Sequence, residues 1–326
     1  MELKASTRAN YRYMYRAFVS ESIGMRKIAN IRYSDIKNFY ISLIREKGFK
    51  PNTVDNVHTL LHPTFTLAVR DGYIRNNPSD GVMAEIKKSQ GWENPKRHAL
   101  TIPEQEAFLG YISNSDMYRH WSTLFTVLFG TGCRVGEACG LRWADCDFRE
   151  KTISVNHNMI YRPTEAGTCE THITTPKTAA GCRTIPMLNE VRAALLEERE
   201  RQMRDGFCTT EIDGYRGFIF TNKVGNLMNA HTINRAIERI RTAYNREEET
   251  RAKKEQREPV LIRYFTVHNI RHTFCTRFCE NETNIKVIQE IMGHADISTT
   301  MNIYAEVTES KKRETFANLE GKIKIS

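Results

Sequence analysis

Along the first 86 residues apolar side chains recur at three- and four-residue spacing, the period that lays one face of a helix against a core. Tyr11, Tyr15 and Phe18 follow a Ser6 or Thr7 cap. Ile36, Phe39, Tyr40 and Leu43 follow Ser34, with Lys37 three residues on where a capping box would place Glu. Val57, Leu60, Leu61, Phe65 and Val69 follow Pro51-Asn52-Thr53, and Asp71-Gly72 and Asn76-Asn77-Pro78 are stop signals. The pattern predicts a small helical bundle.

From Glu85 to His98 the periodicity gives way to breakers and charge, as between domains. Thr101-Ile102-Pro103-Glu104 then opens a second region with a helix entry, Pro standing at an early turn position. The apolar run Trp121 to Phe129 has the length of a buried core helix. Between Thr152 and Met187 the character changes. Thr152-Ile153-Ser154-Val155, Thr171-His172-Ile173-Thr174 and Arg183-Thr184-Ile185-Pro186 favour strands, with Gly-containing turns such as Ala179-Ala180-Gly181 between them, and predict a small antiparallel sheet. Helical patterns return over Glu190 to Arg204, His231 to Tyr244, His268 to Glu280, Ile285 to Met292 and Ser298 to Val307. Arg246 to Glu258 is a charged run expected as a solvent-exposed helix or loop. The expected fold is mainly α with a small antiparallel β-sheet (α+β), in two domains, as a length of 326 residues permits.

Composition narrows the class. The chain is 40% hydrophobic and 27% charged, ordinary for a globular protein. It has no run of eighteen apolar residues, and its first ten residues are too polar for a signal peptide, so a cytoplasmic protein without membrane contact is expected. Its 8 cysteines form no CxxC framework and read as reduced thiols, with Cys133, Cys139 and Cys275 filling core positions. Residues 1–97 hold 17 Lys/Arg against 9 Asp/Glu and so carry +8 of the net +9. A basic module of that kind suits a phosphate-backbone clamp.

Four stretches carry chemistry, and each alone has an ordinary structural reading. Thr131-Gly132-Cys133-Arg134-Val135-Gly136-Glu137 bears an Arg in a Gly-bounded turn. His268-Asn269-Ile270-Arg271-His272 places His268 and Arg271 on one helical face, within reach of a common anion. Gly293-His294 follows, and ten residues later Tyr304 stands in Asn302-Ile303-Tyr304-Ala305.

In this order, with Pro176-Lys177-Thr178 ahead of Arg183-Thr184-Ile185-Pro186, and with Met292-Gly293-His294-Ala295-Asp296-Ile297-Ser298-Thr299-Thr300, the sequence resembles the tyrosine recombinases and phage-type integrases over essentially its full length. Within them it is similar to the integrases of bacterial conjugative transposons. The resemblance implies a site-specific recombinase that cuts and rejoins DNA through a 3′-phosphotyrosine and a free 5′ hydroxyl, to integrate and excise a mobile element. The phenol of Tyr304, with an ordinary pKa of about 10, needs a proton acceptor and a cationic cradle to attack a phosphodiester. His268 would take or relay the proton, Arg134 and Arg271 would grip the non-bridging oxygens, and His294 would add a hydrogen bond. Lys177 would protonate the departing 5′ oxygen, although Lys151 also lies near a strand of the sheet. Glu137 would orient Arg134. No cofactor or metal is expected: there is no Walker-type loop and no carboxylate cluster to hold Mg²⁺.

The implied organisation is a SAM-like helical core-binding domain over 1–84, a linker over 85–97, a catalytic domain over 98–310 and a tail over 311–326 that docks on a neighbouring subunit, as such tails often do in the family, or against its own domain. The implied partners are double-stranded DNA, further copies of the chain in a tetrameric synaptic complex, and an excisionase or DNA-bending accessory protein. The family's additional N-terminal arm-binding domain has no counterpart here, so a truncated chain or a simpler two-domain branch is expected. Two alternatives stand beside this reading. His268, His272, Cys275 and Cys279, at helical spacings, could hold structural zinc. A type IB topoisomerase would share the nucleophile and much of the pocket.

Overall fold

Residues 5–89, 92, 98–163, 168–176 and 178–317 are described by a computed structural model. The chain divides into two compact units, Met1–Lys96 and Arg97–Ser326.

In the first unit the helical period gives α1 (Ala5–Met14), α2 (Tyr33–Arg45), α3 (Pro51–Arg70) and α4 (Val82–Ser89), with short π and 3₁₀ turns between α1 and α2. Ile36, Tyr40, Val54, Val57, Phe65, Val82 and Ile86 close a shared core. Two details differ from the sequence reading. The cap of α2 is Arg32, two residues before the expected Ser34, and its N–H donates to the carboxylate of Asp35, which stands three residues on, at 2.9 Å. Glu85 to Ser89, expected as the start of a linker, continue α4, because Ile86 is buried against α2 and α3.

The second unit opens with α5 (Ile102–Ser113), where the Thr101 N–H donates to Glu104 at 2.7 Å and the Glu104 N–H returns to the Thr101 hydroxyl at 3.3 Å. The apolar run becomes α6 (Ser122–Thr131), followed by the single turn α7 (Val135–Cys139). The sheet region forms two pieces. Strands β1 (Cys146–Asp147), β2 (Thr152–Val155) and β5 (Arg183–Pro186) make an antiparallel sheet in the order β1-β2-β5, and β3 (Asn158–Pro163) pairs with β4 (Cys169–Thr174). Strand β3 lay outside the predicted strands.

Five helices complete the unit: α8 (Asn189–Asp205), α9 (Ala230–Glu255), α10 (Val267–Asn281), α11 (Ile285–Met292) and α12 (Ile297–Ala317). The expected charged run is the C-terminal half of α9, tied down by buried Glu248, which accepts from Arg257. Helix α12 continues through the first part of the expected tail, whereas 318–326 lie outside the described residues. The main core joins α5, α6, the β2–β5 sheet, α8, α9 and the start of α10. A satellite cluster of Cys275, Cys279, Ile288, Met292 and Val307 ties α10, α11 and α12 together, with Ile303 and Tyr304 packed against it.

Candidate active site

At the end of α6, Gly132 takes the left-handed conformation (φ +60°) and caps the helix through its N–H to Leu128. A Cβ there would stand 2.3 Å from the Phe274 ring, so this turn needs glycine both for its backbone angle and for α10 to approach. The chain reverses and Arg134 begins α7, its N–H donating to the Glu137 carboxylate at 2.9 Å. The Arg134 side chain turns back as well, giving one hydrogen bond to Glu137 at 2.8 Å and one to the Gly293 carbonyl at 2.9 Å.

Arg271 reaches the same place from the first turns of α10. Its side chain is buried, and its two terminal nitrogens donate to the carbonyls of Gly132 at 2.7 Å and Met292 at 2.5 Å. Both acceptors lie at helix C-termini, where carbonyls lack helical partners and the helix dipole favours a cation. Burial, and then the charge of Arg134, push the Arg271 pKa down to about 10, which still leaves it charged at neutral pH.

Gly293 closes α11 with φ +63°, and His294 follows, buried, with its Nδ1 2.9 Å from the hydroxyl of Thr300. Burial and the surrounding arginines Arg271, Arg134 and Arg183 push the His294 pKa down to about 4, so the imidazole is neutral at physiological pH. For Glu137 burial acts upward, but the hydrogen bond and charge of Arg183, with Arg134, outweigh it and hold the carboxyl below its ordinary value. Arg134, Arg183 and Arg271 against Glu137 leave a surplus of positive charge that an anion would relieve.

Arg134, His268, Arg271 and His294 line one open cleft of about 360 Å³, together with His272, Met292, Thr299 and Ile303. His268 is exposed at the start of α10. Tyr304, next to Ile303 on α12, is half-buried against the Cys275 and Met292 cluster. Lys177 lies outside the described residues, between Pro176 and Thr178, while Lys151 sits in the exposed β1–β2 turn with φ +52°. For the zinc alternative, Cys275 and Cys279 are buried in the satellite cluster while His268 is exposed. Among the described residues no group of three or more His, Cys, Asp or Glu is arranged to hold a metal ion.

Two residues of this constellation escaped the sequence reading. Thr300 is fully buried beneath His294. Arg183, expected only as part of a strand, buries its guanidinium and donates to Glu137 at 2.8 Å. The signal for Arg183 was available: strand alternation puts it on the same face as buried Ile185, where an arginine needs an acidic partner.

Residues 99–311 match the phage integrase family. The chain belongs to it. A transposase from transposon Tn916 of Enterococcus faecalis is 30% identical over 94% of this chain and 71% of its own length. A tyrosine recombinase XerC-like protein of Caldanaerobacter subterraneus is 30% identical over 98% of the chain and 78% of its own length. Among solved structures, the Tn1549 transposon integrase in complex with a circular intermediate DNA superposes with a TM-score of 0.81 at 30% identity, covering 96% of this chain and 95% of that one. The chain is therefore a tyrosine recombinase of the conjugative-transposon type, an enzyme of DNA strand cleavage and rejoining, and the topoisomerase alternative falls away. Among the described residues no helix is long and apolar enough to cross a membrane.

Proposed function

We propose that this recombinase cuts duplex DNA at the ends of its mobile element with Tyr304 as the nucleophile and Arg134, Arg271 and His294 as the phosphate cradle. One observation carries the reading: basic side chains from positions 134, 268, 271 and 294 line a single cleft, and the neighbour of Tyr304 lines it with them. The Tyr304 oxygen bonds to phosphorus as the bond from phosphorus to O5′ breaks, leaving a 3′-phosphotyrosine and a 5′ hydroxyl. His268 accepts the phenolic proton and Lys177 supplies the proton taken up by O5′. Attack by a 5′ hydroxyl of another strand reverses these steps. One phosphodiester is exchanged for another, so no ATP is consumed.

Arg134 and Arg271 are held by backbone carbonyls and Glu137 before DNA arrives, so they need little reorganisation as charge builds on the five-coordinate phosphorus. We assign Nδ1 of neutral His294 as the acceptor of the Thr300 hydroxyl 2.9 Å away, the tautomer whose Nε2 carries a proton to offer to the phosphate. Glu137 orients Arg134 without touching DNA.

The oligomer on DNA is proposed to be a tetramer of this chain, with the tail from Lys311 onward reaching a neighbouring subunit. An excisionase or DNA-bending protein acts as accessory, and in the cell the complex sits on the nucleoid. The basic first unit is read as the clamp on the core site, with the residues after Ser89 as the linker. The decisive test is incubation of the chain with a nicked duplex spanning the junction between the mobile element and its flanking DNA. A covalent protein–DNA adduct that disappears in Tyr304→Phe is expected; an adduct that persists in the variant overturns the assignment.

A further inference from the structure

Helix α11 ends in three successive carbonyls, and each accepts from a different arginine. Ile291 is held by Nε of Arg183 at 2.7 Å, Met292 by Arg271 at 2.5 Å and Gly293 by Arg134 at 2.9 Å. Arg271 and Arg134 belong to the cradle. Arg183 does not: its side chain is only 6% exposed, and its three nitrogens are engaged by the Ile291 carbonyl, the Gly181 carbonyl at 3.2 Å and Glu137 at 2.8 Å. A guanidinium so enclosed has no route to a phosphate.

The geometry points to Arg183 as a positioning residue for strand cleavage: by gripping Glu137 and the end of α11 together, it fixes where Arg134 stands relative to Arg271. This inference rests on the reading of those two arginines as the phosphate cradle.

Arg134 is the looser member, with a side chain 41% exposed, and its two side-chain tethers are Glu137 and Gly293. Arg183 secures both. It holds the second oxygen of the Glu137 carboxylate, and it holds the backbone two residues before Gly293. A Cβ on Gly293 would stand 3.0 Å from Arg183 Cδ, so backbone and guanidinium pack with no slack. Without Arg183 the buried carboxylate would keep only Arg134 as a close charged partner, and α11 could shift its last turn and carry the Gly293 and Met292 carbonyls with it. Misplacing a catalytic group by about 1 Å can cost about 100-fold in rate.

A plain structural staple would behave differently, lowering stability without changing the chemistry of the folded fraction. The acid side of the rate profile separates the two. Glu137 faces Arg134 from α7, Arg183 from β5 and Arg271 from α10, with Cys133 before α7 and His294 after α11. Weakening the hydrogen bond from Arg183, the first of the contacts that hold the Glu137 carboxyl down, raises the pH at which Glu137 protonates and releases Arg134.

The test uses the full chain and a saturating nicked duplex spanning the junction of the element with its flanking DNA, and follows the initial rate of covalent adduct formation. Arg183→Lys, which keeps the charge but not three donors in one plane, is expected to bind DNA within about twofold of the parent while cleaving about 10- to 100-fold more slowly. Its acidic limb moves to higher pH. In a Glu137→Gln background, adding Arg183→Gln costs less than it does alone, because the route through Glu137 is already lost and only the grip on the end of α11 remains to be removed. The loss persists when the bridging 5′ oxygen is sulfur, a leaving group that needs no proton. A parental rate and pH profile in Arg183→Lys, additive losses in the double variant, or rescue by sulfur would each overturn the proposal. If Arg183→Gln fails to fold, Arg183→Lys alone decides. Adduct formation by Tyr304→Phe would instead strike the underlying reading and is scored separately.

Discussion

The Arg271 guanidinium donates to the carbonyl of Met292 at 2.5 Å, joining α10 to the end of α11, and its other terminal nitrogen takes the Gly132 carbonyl at the end of α6. One buried cation thereby locks the C-termini of two helices and is itself aimed by them. The same contacts that stabilise the fold preorganise the site.

Substituting Arg271 should therefore show in two measurements. Arg271→Ala leaves both carbonyls without their donor and removes one arm of the proposed phosphate cradle. Adduct formation is expected to fall about 100- to 1,000-fold, on the order of 3 kcal/mol. The melting temperature should fall as well. Arg271→Lys cannot reach two carbonyls and the phosphate at once, and it should recover stability more than rate.

Gly132→Ala tests the turn that presents Arg134. The left-handed backbone and the 2.3 Å approach of a Cβ to Phe274 add strain to a steric clash, and the catalytic unit should lose about 2 kcal/mol or more in chemical denaturation. Gly48 has a similar φ of +67° with open space around it, so Gly48→Ala should cost about 1 kcal/mol.

His294 makes stability depend on pH with a definite sign. Its folded pKa of about 4 lies below the ordinary histidine value of 6.5, so between those values the unfolded chain binds more protons and stability falls as pH falls. The slope approaches about 1.4 kcal/mol per pH unit. Glu137, depressed in the folded state, adds its own loss only below the ordinary carboxylate range. In His294→Gln the upper part of the slope should shrink to what His58 and His120, also held below the ordinary value by desolvation, contribute, while the lower part remains. Equal slopes in parent and variant would contradict the burial of a neutral imidazole.

Thr300→Val removes the hydroxyl that meets His294 Nδ1 while preserving shape. About a tenfold slower cleavage with unchanged DNA binding is expected. A rate equal to the parent would show that His294 needs no such partner.

Positive charge at the cleft comes from guanidinium groups, so adduct formation should survive saturating EDTA with little change in rate. Loss of cleavage with DNA binding intact would mean that a divalent cation takes part in the chemistry.

Sequence alone determined much of this. Apolar spacing marked α2, α3, α10 and α11 nearly to the residue, because each buries one continuous stripe. The order Arg134, His268, Arg271, His294, Tyr304 pointed to the recombinase family, because that chemistry demands those groups and little else. Tertiary structure decided the rest. Strand β3 carries polar Asn158, Tyr161 and Arg162 and became a strand only by pairing with β4. Arg183 looked like any strand residue until β5 was laid beside α7 and α11, since its partners, a carboxylate 46 positions earlier and a carbonyl 108 positions later, have no local signature. Spacing along the chain records what each helix needs to bury. Which buried cation answers which carbonyl is settled only when distant segments exclude water together and every charge between them must find a partner.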